Sequence, residues 1–219
     1  KAGQIVKAIK KTSRLPLTVK IRLGFNTVNV FEMVHILEQE GADAVAVHFR
    51  LRSDGYSGEA KWEYASQIRE KINTVFIGNG DIRSAEEAKE KLADVDAVMI
   101  GRGGLANPLI FNEIAGESPE KGERTWDMAG VHSRLLELIE EHYEEKLRLP
   151  RVKSFTRFLF WGKKYGKKAR QLIYNASTFE EAKEHFVTIM NHKHAALATN
   201  NKSFDQTFSK RGRRPQPMR

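Results

Sequence analysis

The chain has 219 residues, of which 40% are hydrophobic and 30% charged, and its formal net charge is +9. This apolar fraction supports a buried core and excludes wholesale disorder, and no apolar run reaches the length of a membrane span. The chain has no cysteine, which excludes a disulfide scaffold, a thiolate metal site and a cysteine nucleophile within these residues. We therefore expect a cytoplasmic protein with no metal site, no membrane association and an anionic partner.

The first half of the chain alternates strand-like and helix-like segments after an initial helix at residues 1–11. The strand-like segments read as continuous apolar runs, which are typical of a parallel sheet covered on both faces. They begin at residues 17, 43, 74 and 96, and this spacing is close to one unit of a (β/α)₈ barrel. Predicted strands cover 17–22, 43–49, 74–78 and 96–100, and predicted helices cover 28–40, 60–72 and 84–92. The fold class predicted for this half is α/β, as half of a TIM barrel.

The second half is predicted to be an all-α helical-bundle domain. Predicted helices cover 128–143, 153–163, 167–175 and 178–198. Pro150 is expected to end the region that follows the first of them, and Thr178 with Glu181 forms a predicted capping box. The polar and basic residues 200–219 are expected to form a disordered tail. The predicted domains are therefore 1–116, 125–199 and the tail, with a linker from residue 116 to 124.

Almost all of the excess positive charge lies in the second half. Residues 1–116 carry a net charge of +1, whereas residues 117–219 carry +8. Between Lys146 and Arg170 there are ten basic residues and no acidic residue, and aromatic residues interleave with them. A solvated helix face over an aromatic core explains any single one of these cations, but like charges on one helix repel. The run as a whole favours a phosphate backbone as partner.

Four short motifs follow the four predicted strands, at the end where barrels build their active sites. In chain order they contain Lys20 and Arg22, His48 and Arg50, Asn79, Gly80 and Asp81, and Gly101 and Arg102. Glycine-rich turns after the last two strands let backbone N–H groups approach an anion closely. Residues 105–114 supply the short helix that completes many barrel phosphate sites. These features predict a phosphorylated ligand, such as flavin mononucleotide (FMN) or a sugar phosphate.

The motifs V-K-I-R-L-G, V-H-F-R with Y-S-G and W, G-N-G-D, and M-I-G-R-G with N-P resemble the tRNA-dihydrouridine synthase family in order and spacing. The resemblance is specific over residues 1–115 and looser over about 128–190. It implies a flavin-dependent (β/α)₈ barrel followed by a small helical domain. It also implies that NADPH reduces FMN, and that the flavin reduces the C5–C6 double bond of particular tRNA uridines.

The resemblance also implies roles for individual residues. Contacts to FMN are implied for Lys20, His48, Asn79, Gly80, Asp81, Gly101 and Arg102. Contacts to tRNA are expected for Arg22, Arg50, Lys153, Arg157, Lys163, Lys164, Lys167 and Lys168. Tyr56 is a further candidate for the substrate cleft, with a packing role left open.

One departure from the family is informative. In these enzymes a cysteine in the first half of the barrel donates a proton to the uracil, and this chain has no cysteine. The chain also starts at Lys1 rather than at a methionine. We therefore expect it to be the C-terminal portion of a synthase, with no catalytic residue of its own and no activity alone. Two other functions stay open: an FMN-dependent barrel oxidoreductase of a small molecule, and a non-catalytic RNA-binding fragment.

Overall fold

The computed structural model describes residues 1–55, 58–116, 128–161, 163 and 165–198. These residues divide into two compact units, one within Lys1–Gly104 and Pro108–Ser118, the other within Leu105–Asn107 and Pro119–Arg219. The predicted tail 200–219 and most of the predicted linker lie outside the described residues. Among the described helices, none combines the length and the apolar character that a membrane crossing requires.

The first unit has the predicted alternation of strands and helices. Its elements are α1 (Ala2–Thr12), β1 (Thr18–Gly24), α2 (Val30–Gln39), β2 (Ala44–Leu51), α3 (Tyr64–Arg69), β3 (Val75–Asn79), α4 (Ala85–Lys91), β4 (Ala97–Met99) and α6 (Ile110–Ala115), and α5 (Arg102–Ala106) begins in it. Helix α3 is shorter than the predicted helix 60–72. Its predicted start is held outside the helix because the backbone N–H of Ala60 binds Asp81 and that of Lys61 binds the Phe49 carbonyl.

The four strands form one parallel sheet in the order β1-β2-β3-β4. The register places Arg22 beside His48, His48 beside Asn79, and Asn79 beside Met99. Because side chains alternate along a strand, these four residues share one face of the sheet, together with residues two positions away on each strand. The register therefore brings the strand-end motifs together on one face of the sheet, at the carboxyl ends of the strands.

The opposite face of the sheet packs against helices and forms the core of this unit. The core residues include Leu23, Val34, Leu37, Val45, Val47, Phe49, Ile68 and Phe76. The apolar runs of the strands predict that helices or other apolar groups cover both faces of the sheet. On the face opposite the core, however, the half nearest the carboxyl ends of the strands is polar. The difference arises because Arg22, His48 and Asn79 alternate with the core residues at the strand ends.

The second unit contains α7 (Met128–His142), α8 (Glu145–Leu159), α9 (Gly166–Asn175) and α10 (Phe179–Ala198). These helices pack around their own core. The core includes Leu136, Ile139, Val152, Leu159, Phe160, Ile173, Phe186 and Ile189. At the start of α10, the Glu181 N–H donates to Thr178 Oγ1 at 3.1 Å, and the Ser177 N–H donates to Glu181 Oε2 at 2.6 Å. The predicted cap of this helix is thereby confirmed.

The prediction that Pro150 ends its region is wrong, because Pro150 lies inside α8. A proline there removes one hydrogen bond, to the carbonyl of Lys146, near the start of the helix. Burial of Val152, Thr156 and Leu159 at helical spacing carries the helix past this point. The side chain of Thr156 also donates to the Val152 carbonyl at 2.8 Å. Packing of the apolar face therefore outweighs the local effect of the proline.

Candidate functional site

The candidate site of the first unit is a group of cations gathered around one carboxylate. Asp81 Oδ2 accepts hydrogen bonds from Arg50 Nη2 and from the backbone N–H of Ala60, the latter at 2.9 Å. Asp81 Oδ1 accepts from Arg102 Nη2 at 3.1 Å. Burial alone raises the pKa of Asp81, but these hydrogen bonds and the two guanidinium charges outweigh it and leave the pKa below its ordinary value. Asp81 is therefore an anchoring anion rather than an acid.

Arg50 is held almost entirely inside the protein. Its side chain is 2% exposed, and Nη2 donates to the Gly58 carbonyl at 2.6 Å as well as to Asp81. Its Nη1 lies 3.2 Å from Nε2 of His48. The contact between Arg50 and substrate stays a prediction, and the structure places its guanidinium among protein partners.

Arg22 is partly buried and joins β1 to the loop after β2. Its Nη1 donates to the Leu51 carbonyl at 2.8 Å and to the Gly55 carbonyl at 3.1 Å. These bonds use one terminal nitrogen of the guanidinium. This arrangement does not test the predicted contact of Arg22 with tRNA, which stays a prediction. Tyr56, the further cleft candidate, lies outside the described residues.

His48 lies on β2 among positive charges. Burial lowers the pKa of its imidazole, and the charges of Arg22, Lys20 and Arg50 lower it further, to about 4. Partial burial and the nearby Arg22 likewise lower the pKa of Lys20. The imidazole of His48 is therefore uncharged at neutral pH, and the positive potential of the site comes from lysine and arginine side chains.

The turn after β3 has an unusual backbone. Asn79 Nδ2 donates to the Met99 carbonyl at 2.6 Å, which ties the turn to β4. Gly80 has φ +139°, and Asp81, at φ +51°, is the one non-glycine residue with positive φ among the described residues. A non-glycine residue in this conformation is held there by its surroundings, and such residues cluster at functional sites. The G-N-G-D motif thus builds a fixed turn that presents Asp81 to both arginines.

Two glycines after β4 differ in what surrounds them. A Cβ atom at Gly103 would lie 2.2 Å from the Ile82 carbonyl oxygen, so close packing requires glycine there. A Cβ atom at Gly101 would meet no atom within 4 Å, so packing does not explain that glycine. Open space beside the backbone, next to Arg102, is what an incoming phosphate needs. The residues present therefore fit the phosphate group of a ligand such as FMN.

Trp62 supports the site, although the sequence pattern assigned it no role. The centroid of its ring lies 4.4 Å from the centroid of the Phe49 ring, and its Nε1 donates to the Gly80 carbonyl at 2.9 Å. A Cβ atom at Gly78 would lie 2.6 Å from the Trp62 ring. The signal that could have identified this contact is the glycine at the end of a buried strand, which leaves room for a large side chain.

The predicted tRNA-binding residues of the second unit differ in their surroundings. Lys153 Nζ donates to the Ala176 carbonyl at 2.7 Å, which satisfies a backbone group after the end of α9. Arg157 is exposed and lies beside the Phe158 ring, and Lys163, Lys167 and Lys168 are also exposed. Lys164 lies outside the described residues. The binding of tRNA by these side chains stays a prediction.

Comparison with known proteins agrees with this architecture. A family model described as dihydrouridine synthase matches residues 1–201, and the chain belongs to that family. The sequence prediction of the family is thereby confirmed.

Three relatives show how far the similarity extends. The chain is 33% identical over 147 residues to a probable tRNA-dihydrouridine synthase of Rickettsia conorii, covering 65% of this chain and 44% of the relative. It is 41% identical over 112 residues to tRNA-dihydrouridine synthase B of Pasteurella multocida, covering 49% and 34%. It is 31% identical over 191 residues to a probable tRNA-dihydrouridine synthase of Mycobacterium tuberculosis, covering 82% and 49%. The chain thus spans less than half the length of each relative.

Proposed function

We propose that this chain is the part of a tRNA-dihydrouridine synthase that holds FMN and contributes to binding tRNA. The enzyme uses NADPH as reductant and saturates the C5–C6 bond of particular tRNA uridines. The observation that carries the proposal is the cation group anchored on Asp81, at the carboxyl ends of four parallel strands. A site of this sign and position suits an anionic cofactor. We infer from the same sheet that the first unit is half of a (β/α)₈ barrel.

The proposed cofactor contacts follow from the charges and open space of the site. FMN, when bound, supplies the electrons for reducing the uracil ring. Arg102 and the backbone at Gly101 would hold its phosphate, because a guanidinium fork and open space beside the backbone suit a dianion. Lys20 supplies a positive charge that would stabilise the electron-rich ring of the reduced flavin. His48 contributes an uncharged hydrogen-bonding group, and Asn79 with Gly80 shapes the wall of the site.

Most of the proposed tRNA contacts lie in the helical part of the chain, whereas Arg22 and Arg50 are the proposed contacts of the first unit. We propose domains of 1–116 for the flavin site and 125–199 for a helical-bundle tRNA-binding domain, with a basic tail at 200–219. Folded RNA is bound mostly through shape, phosphate and 2′-OH contacts, and exposed cations on helices supply them. Arg157, Lys163 and Lys167 are exposed and suit that role. A tRNA substrate also supports the expected cytoplasmic location.

Reversing two exposed charges tests the proposed tRNA surface. The double variant Lys163→Glu/Lys167→Glu is expected to bind tRNA at least ten-fold more weakly at moderate salt. The slope of its log affinity against log salt concentration should be smaller in magnitude by about 2, since each lost phosphate contact removes about 0.9 from that slope. The measurement is a tRNA titration by fluorescence anisotropy at several salt concentrations.

The matched control reverses two exposed lysines of the first unit, Lys11→Glu/Lys89→Glu. It changes the net charge by the same amount, so it reports any general charge effect. Equal weakening by both variants would contradict a specific role for Lys163 and Lys167.

A direct assay tests the proposed function and the proposed division of labour, in which this chain binds FMN but the proton donor lies outside it. The chain is expected to bind FMN in a fluorescence titration, with weaker binding in a Lys20→Met variant. Incubated with FMN, NADPH and tRNA, the chain alone should form no dihydrouridine, because the family's cysteine proton donor is absent from it. Mass spectrometry of the digested tRNA makes the measurement. Failure to bind FMN contradicts the proposed cofactor site, and NADPH-dependent dihydrouridine contradicts the proposed division.

A further inference from the structure

We propose that Arg50 is a positioning residue, held by Asp81, that fixes His48 as the neutral imidazole with its proton on Nδ1. The inference goes beyond the proposed function, because it gives Arg50 a role toward His48 that the proposed function does not assign. The consequence of this tautomer for a bound cofactor rests on the proposed function. The tautomer itself rests only on the geometry of the three side chains.

The chemistry of the two groups fixes the direction of their hydrogen bond. Arg50 Nη1 lies 3.2 Å from His48 Nε2. A guanidinium carries only donors and stays protonated in proteins, so Nε2 must accept. An imidazole nitrogen that accepts carries no proton, and the ring proton of a neutral histidine then lies on Nδ1. The guanidinium therefore selects one tautomer of His48.

Arg50 is restrained so that it holds this position. Its side chain is 2% exposed, and its second terminal nitrogen donates to Asp81 and to the Gly58 carbonyl. Asp81 is itself held by Ala60 N–H and by Arg102. Rotating the guanidinium away from His48 would break buried charge-assisted hydrogen bonds, which are among the strongest polar contacts in a protein.

The groups around His48 keep the ring neutral. Lys20 and Arg22 face it from β1, Arg50 from its own strand, and Asp81 from the turn after β3. Three of these charges are positive and one is negative, and the ring is 8% exposed. Positive neighbours and burial both disfavour a second proton on the imidazole. The neutral form therefore persists through the physiological pH range.

One hydrogen-bonding position of His48 is left for a ligand. In the part of the chain that the structure describes, Arg50 is the one hydrogen-bond partner of the imidazole. The Nδ1–H is then available to an acceptor oxygen or nitrogen of the bound cofactor. A neutral imidazole N–H is a far weaker acid than imidazolium. His48 thus acts as a fixed hydrogen-bond donor and does not replace the absent proton donor.

Nuclear magnetic resonance of the whole chain labelled with ¹⁵N-histidine tests the inference without requiring activity. Two-bond ¹H–¹⁵N correlations distinguish a protonated ring nitrogen from a bare one. His48→Gln identifies the His48 signals among the seven histidines. The expected result is a protonated Nδ1 and a bare Nε2, unchanged from pH 5.5 to 8. A protonated Nε2, or a fully charged ring near pH 6, would overturn the proposal.

Variants separate positioning from a general structural effect. Arg50→Met removes the donor and should yield a mixture of both tautomers, whereas Arg50→Lys, which keeps a donor, should partly restore the Nδ1–H form. The control is Arg52→Met at an exposed position two residues away. If Arg50→Met does not fold, the wild-type spectrum still decides the tautomer. The expected tautomer without any FMN binding would contradict the proposed function and leave this inference standing.

Discussion

Replacing Asp81 with alanine is expected to lower the free energy of unfolding by about 3 kcal/mol, because it removes the carboxylate that neutralises the buried charge of Arg50. The loss also removes an acceptor for Ala60 N–H and for Arg102. Urea unfolding followed by circular dichroism measures it. Flavin binding should be lost in the same variant, since both arginines of the site lose their anchor.

A double variant identifies the cause of this destabilisation. Asp81→Ala/Arg50→Met should be less destabilised than Asp81→Ala alone, because no uncompensated charge is then buried. Asp94→Ala, at an exposed position after α4, is the matched control and should change stability by less than about 0.5 kcal/mol. A double variant that is as unstable as the sum of the two single variants would contradict the explanation.

The same interaction predicts a dependence on pH. The pKa of Asp81 is lower in the folded protein than its ordinary value, so the carboxylate stabilises the fold above an unfolded pKa of about 3.9. This stabilisation is lost as the pH falls through the lower, folded value. The difference between wild type and Asp81→Ala should therefore be constant from pH 5 to 8 and shrink below pH 4.

Gly101→Val is expected to separate ligand binding from folding. A Cβ atom at this position meets nothing within 4 Å, so the free energy of unfolding should change by less than about 0.5 kcal/mol. The added side chain fills the space through which a phosphate reaches the backbone. The loss of two charge-assisted hydrogen bonds corresponds to about 3 kcal/mol, or roughly 100-fold in FMN affinity. Titration of the variant with FMN measures the effect.

Two further variants bracket this expectation. Ala93→Val adds bulk at an exposed position before β4 and should leave both stability and FMN affinity unchanged. Gly103→Ala should lower stability instead, because its Cβ would lie 2.2 Å from a backbone oxygen. If Gly101→Val binds FMN as wild type does, the open space beside this glycine is not the phosphate site.

The sequence predicted the four strands well and indicated where the candidate site lies, for a physical reason. Buried strands are apolar runs bounded by turn residues, and parallel strands place their carboxyl ends together, so motifs that follow successive strands must meet. The register that aligns Arg22, His48 and Asn79 agrees with that expectation. The family resemblance added the proposed ligands, which strand periodicity alone does not indicate.

Features that depend on contacts between distant residues could not be predicted. Pro150 on its own predicts the end of its region, but burial of the α8 face carries the helix through it. The start of α3 was displaced by a hydrogen bond from Ala60 to Asp81, a residue 21 positions away. Arg50 could be recognised as a strand-end cation, but its burial against Asp81 depends on the fixed turn after β3.

The carboxylate of Asp81 also has an evolutionary consequence. It binds one arginine from β2 and another from the start of α5, so a single side chain couples three successive β/α units. A substitution at any one of positions 50, 81 and 102 changes the charge balance at the other two. Divergent members of the family are therefore expected to vary these positions as a set, so that sequence covariation traces the site even where its individual residues differ.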